Sequence, residues 1–411
     1  MEDYQLHTLP NGIRVVHKQL THTQIAHVGI MLDIGSRDEK KHQQGLAHFW
    51  EHMAFKGTSK RSNLQIINRL ENVGGELNAY TTKEKICFHA SVLTEHFEKA
   101  LDLVTDITFR SVFPEKQIDR ERNVILEELA MYYDSPEDAI QDDFDGLLFE
   151  GHQLGANILG TAESLQQFKK EDFLQFISEN LDTERIVVSS VSKLPFSKVM
   201  AIAEKLLKDI PAKRSNRIRT TPTGYHPRTQ VVKRTVTQAQ VALGKRSYSL
   251  PDEKRLPFFV LTNLLGGPGM NSRLNLSVRE KHGLVYGIDA QYTPFTDTGF
   301  FGIFFGTEPK QLNKTIALIR KELKILREKA LTSNQLHITK QQLMGQLAMS
   351  EEGNLSFMLM MAKSLLDMNR IESLEVLFNQ IRSITAPQLQ DLANEMFTED
   401  DFCYLTFLPE N

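Results

Sequence analysis

Apolar positions along the chain follow two rhythms: alternation in twos, which marks strands, and recurrence at three and four, which marks helices. From Leu6 to Lys18 apolar positions flank Asn11-Gly12, the signature of a hairpin with a two-residue turn. Ala26 to Ile34 alternates as a strand, broken by Gly35-Ser36. Gly45 to Gly57, GLAHFWEHMAFKG, reads as a helix, and Leu64 to Val73 as a second, closed by Gly74-Gly75. Glu76 to Thr82 and Lys85 to Leu93 are adjoining strands. Glu95 to Arg110 and Glu115 to Tyr133 are long helices, with Pro114 at the start of the second. Helices at Glu137 to Phe149 and Lys170 to Asn180 precede a strand at Arg185 to Ser190 and a helix at Phe196 to Ile210.

Between Pro211 and Tyr225 the pattern stops. The stretch is rich in Lys, Arg, Ser, Thr and Pro and reads as a linker. After it the order of elements repeats. Strands fall at Gln230 to Thr235 and Gln240 to Lys245, and a helix at Leu256 to Leu265. A strand pair follows at Tyr286 to Tyr292 and Phe300 to Gly306, and helices run from Leu312 onward. The expected fold is α+β: two similar domains, residues 1–210 and 226–411, joined by a linker at 211–225. Each is a mainly antiparallel sheet with helices packed on it. The helix at Leu256 to Leu265 takes the place of the one at Gly45 to Gly57 but carries no His, so the second domain is a degenerate copy.

The composition agrees with this and removes several function classes. The 411 residues are 41% hydrophobic and 24% charged, enough apolar material for two large cores. A net charge of −4 gives no basic footprint for nucleic acid or an anionic membrane. The basic run Lys213, Arg214, Arg217, Arg219 lacks interleaved aromatics and reads as a solvated part of the linker. The opening MEDYQLHTLPNG has no basic-then-apolar signal pattern, and no apolar run reaches membrane-spanning length. Two cysteines, Cys87 and Cys403, exclude a disulfide framework and a Cys-rich zinc site, and fit a reducing, cytoplasmic compartment. Gly266-Gly267-Pro268-Gly269 lacks the G-K-[ST] ending of a phosphate loop and reads as a turn.

Chemistry concentrates in the helix at Gly45 to Gly57. His48 and His52 are four residues apart, so their side chains lie one above the other on one face. Two imidazoles so placed can share a tetrahedral metal. Glu51 borders that face and can move a proton between water and a leaving amine. The bland alternative is an amphipathic helix with two polar histidines. The pattern H-x-x-E-H is the reverse of H-E-x-x-H and marks the inverzincins.

A catalytic zinc needs three protein ligands and an open position. Within RERNVILEELAMYY, residues Val124, Ile125 and Leu129 define an apolar helical face into which Glu128 projects, while Glu127 is turned toward water. A carboxylate on an apolar face is costly unless paired or bound to a metal. Glu121, two turns back, can orient a ligand by a hydrogen bond. On spacing alone, a solvated acidic stripe of Glu121, Glu127 and Glu128 stands equally well.

The segments HFWEHMAFKGT, ENVGGELNAYTTKEKICFHA, RERNVILEE and NSRLNLSVREKHGLVYGI together resemble the pitrilysin-type inverzincins, in particular the processing-peptidase branch that includes mitochondrial processing peptidase and its bacterial relatives. The resemblance spans nearly the whole chain. It implies a zinc-dependent endopeptidase acting on unfolded peptides, with one Zn2+ held by His48, His52 and Glu128. Glu51 would be the general base and Glu121 the carboxylate that orients a ligand. It further implies that the strand carrying Asn78, Ala79 and Tyr80 takes up extended substrate by β-augmentation, and that Tyr286 and Arg279 belong to the catalytic set, Tyr286 approaching the polarised carbonyl oxygen and Arg279 contacting substrate. The working unit would be a dimer of identical chains, or a heterodimer with a related chain. A catalytically silent, peptide-binding subunit of the same fold is the alternative, although silent chains usually lose motif residues.

Overall fold

The first hairpin closes on three residues, where the sequence suggests two. In the computed structural model, which describes residues 4–410, strand β1 (Gln5–Thr8) pairs with β2 (Arg14–Gln19). The Leu9 amide donates to the Ile13 carbonyl and the Gly12 amide to the Leu9 carbonyl. Pro10 suits the first turn position, and Gly12 takes the left-handed conformation (φ 93°) that closes such a loop. The first three residues of the N-terminal stretch, and residue 411, lie outside the described range.

The chain folds into two units. The first comprises residues 1–129, 156–219 and 349–373; the second 130–155, 220–348 and 374–411. In the first, β3 (Ile25–Leu32), β4 (Glu76–Thr81), β5 (Ile86–Leu93) and β6 (Ile186–Ser192) complete a six-stranded sheet in the order β1-β2-β6-β3-β5-β4. In the second, β7 (Thr229–Arg234), β8 (Ala239–Ser247), β9 (Val285–Pro294), β10 (Gly299–Thr307) and β11 (Cys403–Pro409) are ordered β7-β11-β8-β10-β9. The two orders match strand for strand once β1 is set aside. In each sheet one pair is parallel, β2 with β6 and β7 with β11, and every other pair is antiparallel. This is a duplicated topology. Strand β11 belongs to it, although the sequence pattern suggests only helices beyond Leu312.

Each sheet is covered on both faces. Helices α1 (Leu46–Ala54), α2 (Asn63–Glu71) and α3 (Phe97–Phe109) lie on one side of the first sheet. The helix Asn354–Met368 covers the other, its Met358 and Met361 packed on Val16, Met31 and Cys87. Helix α4 (Glu115–Asp134) follows, and α5 (Pro136–Leu148) covers one face of the second sheet through Phe144 against Ala242, Phe304 and Phe407. The units therefore differ from the halves 1–210 and 226–411 by two exchanged segments. Each is an apolar helix that buries its face on the sheet of the opposite half. Cys87 and Cys403 are both free and buried. No helix among the described residues is long and apolar enough to cross a membrane.

The basic run expected to be solvated is not, at two of its positions. The Arg219 guanidinium meets Asp38 through two parallel bonds (2.9 and 2.8 Å) and Asp33 at 2.9 Å; Arg217 reaches Asp38 at 3.0 Å and Asp33 at 3.3 Å. Lys85 joins Asp33 to Asp367 at 3.2 and 2.7 Å. These side chains are buried, while Ile218 between the two arginines is 85% exposed. The segment alternates with its charges inward, because buried carboxylates are tolerable only when paired.

Candidate metal centre

Helix α1 is amphipathic in an unusual sense. One face, Phe49 and Trp50, is fully buried against Phe173, Phe176 and Phe88, with ring centroids 5.2 to 6.4 Å apart. This anchoring leaves His48, Glu51 and His52 together on the opposite, polar face. The two imidazoles, one turn apart, have ring centroids separated by 4.6 Å.

Helix α4 brings the carboxylates. Its buried stripe is Ile118, Glu121, Ile125 and Leu129, spaced at three and four, and Glu121 is the polar member. Val124, expected on this apolar face, is 47% exposed instead, because the stripe runs through Ile125 and Glu121 rather than one position earlier. Glu127 is exposed; Glu128 is half-buried on the border of the stripe. His48, His52 and Glu128 each offer a ligand atom within 4.8 Å of the others. The Glu128 carboxylate lies 3.8 Å from His48 Nε2 and 3.4 Å from His52 Nε2. Ligands on a tetrahedral zinc with bonds of about 2.0–2.1 Å stand roughly 3.3 Å apart, so the observed spacing accommodates such an ion. The donor set of two imidazoles and one carboxylate suits it too.

The surroundings fix two of the three polar side chains of α1 and leave one free of such a tie. Glu121 Oε1 accepts from His52 Nδ1 at 3.1 Å, and its Oε2 is held by Lys56 Nζ at 2.7 Å. That bond assigns the proton to Nδ1 and leaves Nε2 directed at Glu128. His48 Nδ1, by contrast, is buried without a hydrogen-bond partner. Glu51 Oε2 accepts from Thr81 Oγ1 of β4 at 2.6 Å.

The titration pattern follows from these contacts in the metal-free chain. Burial, then the charge of His52, lowers His48 to about 4. Burial would lower His52 as well, but its bonds to Glu121 and Glu128 prevail and raise it to about 9. Glu128 is lowered by its bond to His52. Glu121 is lowered too, since His52 and Lys56 together outweigh its burial. Glu51 is raised by burial, against the opposing bond from Thr81.

Strand β4 is the sheet edge next to α1. Alternation puts Thr81 and Ala79 on the face of Glu51, and Asn78 and Tyr80 on the other. Asn78 is exposed, and its side-chain carbonyl accepts from the Ala79 amide at 2.9 Å. Arg279 and Tyr286 lie in the second unit, the guanidinium carbon 5.8 Å from the ring centroid. Tyr286 is 88% exposed. Thr81 and Lys56 acquire roles that sequence reasoning did not assign. Lys56 sits four residues past His52, a spacing that hints at a shared side; Thr81 carries no such signal.

A family model described as insulinase (peptidase family M16) matches residues 14–162, and one described as peptidase M16 inactive domain matches 167–343. An uncharacterized zinc protease, YmxG, from Bacillus subtilis is 33% identical over 394 residues, covering 96% of this chain and 96% of that protein. Another, SCO5738 from Streptomyces coelicolor, is 34% identical over 399 residues, covering 95% and 86%. Among solved structures, a peptidase M16 inactive domain from Pseudomonas fluorescens superposes with a TM-score of 0.90 at 19% identity, covering 100% of this chain and 99% of that one. A protease from Helicobacter pylori does so with a TM-score of 0.90 at 22% identity, covering 99% of each.

Proposed function

Because the chain belongs to the insulinase-type peptidases of family M16, we propose that it is a zinc-dependent endopeptidase of the H-x-x-E-H type, akin to the processing-peptidase branch, cleaving unfolded peptides. The observation that carries this reading is the convergence of His48 Nε2, His52 Nε2 and the Glu128 carboxylate within 4.8 Å. One Zn2+ per chain would be held by these three residues. Once bound, the ion supplies Lewis acidity, acidifying water and polarising a peptide carbonyl.

The chain's own residues supply the remainder. Glu51, raised by burial yet tethered by Thr81, accepts the proton of the attacking water and delivers it to the departing amine nitrogen. Glu121 holds the His52 ring in its ligating tautomer. The main chain of β4 at Asn78, Ala79 and Tyr80 adds an extended peptide to the sheet edge beside Glu51. Substrate using the Ala79 amide first displaces the Asn78 side chain that occupies it. Tyr286 donates to the developing oxyanion of the scissile carbonyl and Arg279 contacts substrate, and two identical chains form the working unit.

The test uses the purified full-length chain. Metal analysis is expected to find one zinc, and a chelator to remove it together with cleavage of a peptide library; zinc restores both. Cleavage that survives complete removal of the metal overturns the proposal.

A further inference from the structure

Helix α1 has an N-terminus that its own N-cap residue cannot satisfy. The first amides of a helix have no partner within it, and Ser, Thr or Asp at the N-cap usually provides one. Here the N-cap is Gly45, at φ 95°. A Cβ at this position would lie 2.5 Å from the Leu159 carbonyl oxygen and 2.9 Å from Gly160 Cα, so no capping side chain fits. The acceptor comes from six residues upstream. Glu39 Oε2 accepts from the Gly45 amide at 3.0 Å, and Oε1 from the Ala47 amide at 2.7 Å. Glu39 is only 3% exposed. A carboxylate in so dry a place is expensive without strong partners. The two amides and the positive end of the helix dipole oppose that cost, although burial still pushes the Glu39 carboxyl well above the usual carboxylate range.

His48 follows Ala47 directly and lies in this first turn, whereas His52 lies in the next. The two histidines are also held differently. His52 is fixed through its own ring by Glu121. His48 Nδ1 is buried and has no hydrogen-bond partner, so its ring direction depends on the backbone that carries it. The residues preceding α1 are themselves tied down: Asp38 accepts from the Gly35 amide at 3.0 Å and from Arg217 and Arg219.

We propose that Glu39 is a positioning residue for the metal centre. By clamping the Gly45 and Ala47 amides it fixes the first turn of α1, and through it the direction of His48, as Glu121 fixes His52 directly. This rests on the reading of His48 as a metal ligand.

The experiment compares Glu39→Gln with the wild-type full-length chain. Glutamine conserves volume but has one acceptor oxygen, and its amide group faces a backbone donor. Zinc affinity, read by chelator competition, is expected to weaken about tenfold or more, in the range typical of losing a residue that orients a ligand. The visible absorption of the Co2+-substituted protein should change, and kcat should fall with KM nearly unchanged. Wild-type zinc affinity and an unaltered cobalt spectrum in Glu39→Gln overturn the proposal. Hydrogen exchange on the wild-type chain tests it without any variant: the Gly45 and Ala47 amides should be strongly protected, and rapid exchange at both overturns it. His48→Ala separates the two layers of the argument. If that variant binds zinc like the wild type, the metal centre itself is misassigned. If it loses zinc while Glu39→Gln does not, only the role of Glu39 falls.

Discussion

His52 Nδ1 and Glu121 Oε1, carried by different helices, are joined by a 3.1 Å hydrogen bond. The carboxylate does not face Glu128; it stands behind the imidazole and is itself steadied by Lys56. Replacing Glu121 with Gln removes the charge that favours a proton on Nδ1 and lets the amide rotate into either role. Zinc affinity should fall by about 10- to 100-fold, measured by competition with a chromogenic chelator. Activity should recover in part at high zinc, since the three proposed ligands His48, His52 and Glu128 remain.

Glu51→Gln should leave zinc content at the wild-type level while kcat drops by at least about 10²- to 10⁴-fold, the scale of a lost acid–base group. Metal analysis alongside peptide cleavage checks both halves. Normal turnover by this variant removes Glu51 from the mechanism.

Thr81→Val tests the same carboxylate more gently. Burial raises Glu51 and the Thr81 hydroxyl opposes the rise. Removing the hydroxyl should raise Glu51 further. The base must be ionised to accept a proton, so activity grows as pH rises through its pKa, and the acid limb of the kcat/KM profile should move to higher pH. A limb that stays in place, or moves downward, contradicts the assignment.

Metal uptake should also release a proton. In the metal-free chain His52 is raised to about 9 by Glu121 and Glu128, which prevail over burial; it therefore carries two ring protons at pH 7. His48, lowered to about 4 by burial and the neighbouring charge, is already neutral there. A ligand must be deprotonated to bind, so zinc binding at pH 7 should expel about one proton from His52. Isothermal titration in two buffers of different ionisation enthalpy measures this directly. The share released by His52 should fade as pH is raised through 9, leaving only the proton given up by the acidified water.

How much of this was legible beforehand varies with the distance over which each contact closes. His48, Glu51 and His52 are placed by one helix, so spacing alone puts them on one face. Glu121 and Glu128 come from a helix about 70 residues away. Its apolar pattern could not distinguish an inward Glu128 from a solvated stripe, and it misplaced Val124; only the resemblance to known peptidases chose. The duplicated strand order was visible as a repeat of elements, but the place of β11 between β7 and β8 was not, because a parallel partner is set by crossover rather than by a local turn. Arg217 and Arg219 read as solvated because their partners, Asp33 and Asp38, lie some 180 residues earlier, beyond the reach of local charge patterning.

That misread pair yields the most demanding stability prediction. Burial alone would raise the Asp33 carboxyl, but Arg219, Lys85, Arg217 and Arg185 surround it and hold it well below the usual carboxylate range. Arg219→Met keeps much of the aliphatic stem and removes the fork that binds Asp38 through two bonds and Asp33 through a third. Removing one cation from this buried cluster leaves Asp33 to Lys85, Arg217 and Arg185 and Asp38 to Arg217 alone, at a cost of up to about 3–5 kcal/mol. A group whose folded pKa is depressed contributes stability above its unfolded value, and that contribution is lost as pH falls through the folded one. The deficit of Arg219→Met should therefore be largest near neutral pH and shrink toward acid, where protonating the stranded carboxylates relieves the variant. Urea unfolding of variant and wild type at pH 7 and at about pH 2.5, below the ordinary carboxylate value, reads it directly. A deficit under about 1 kcal/mol at pH 7 would mean that water fills the space of the guanidinium, and that the linker arginines hold the first unit far more loosely than their geometry requires.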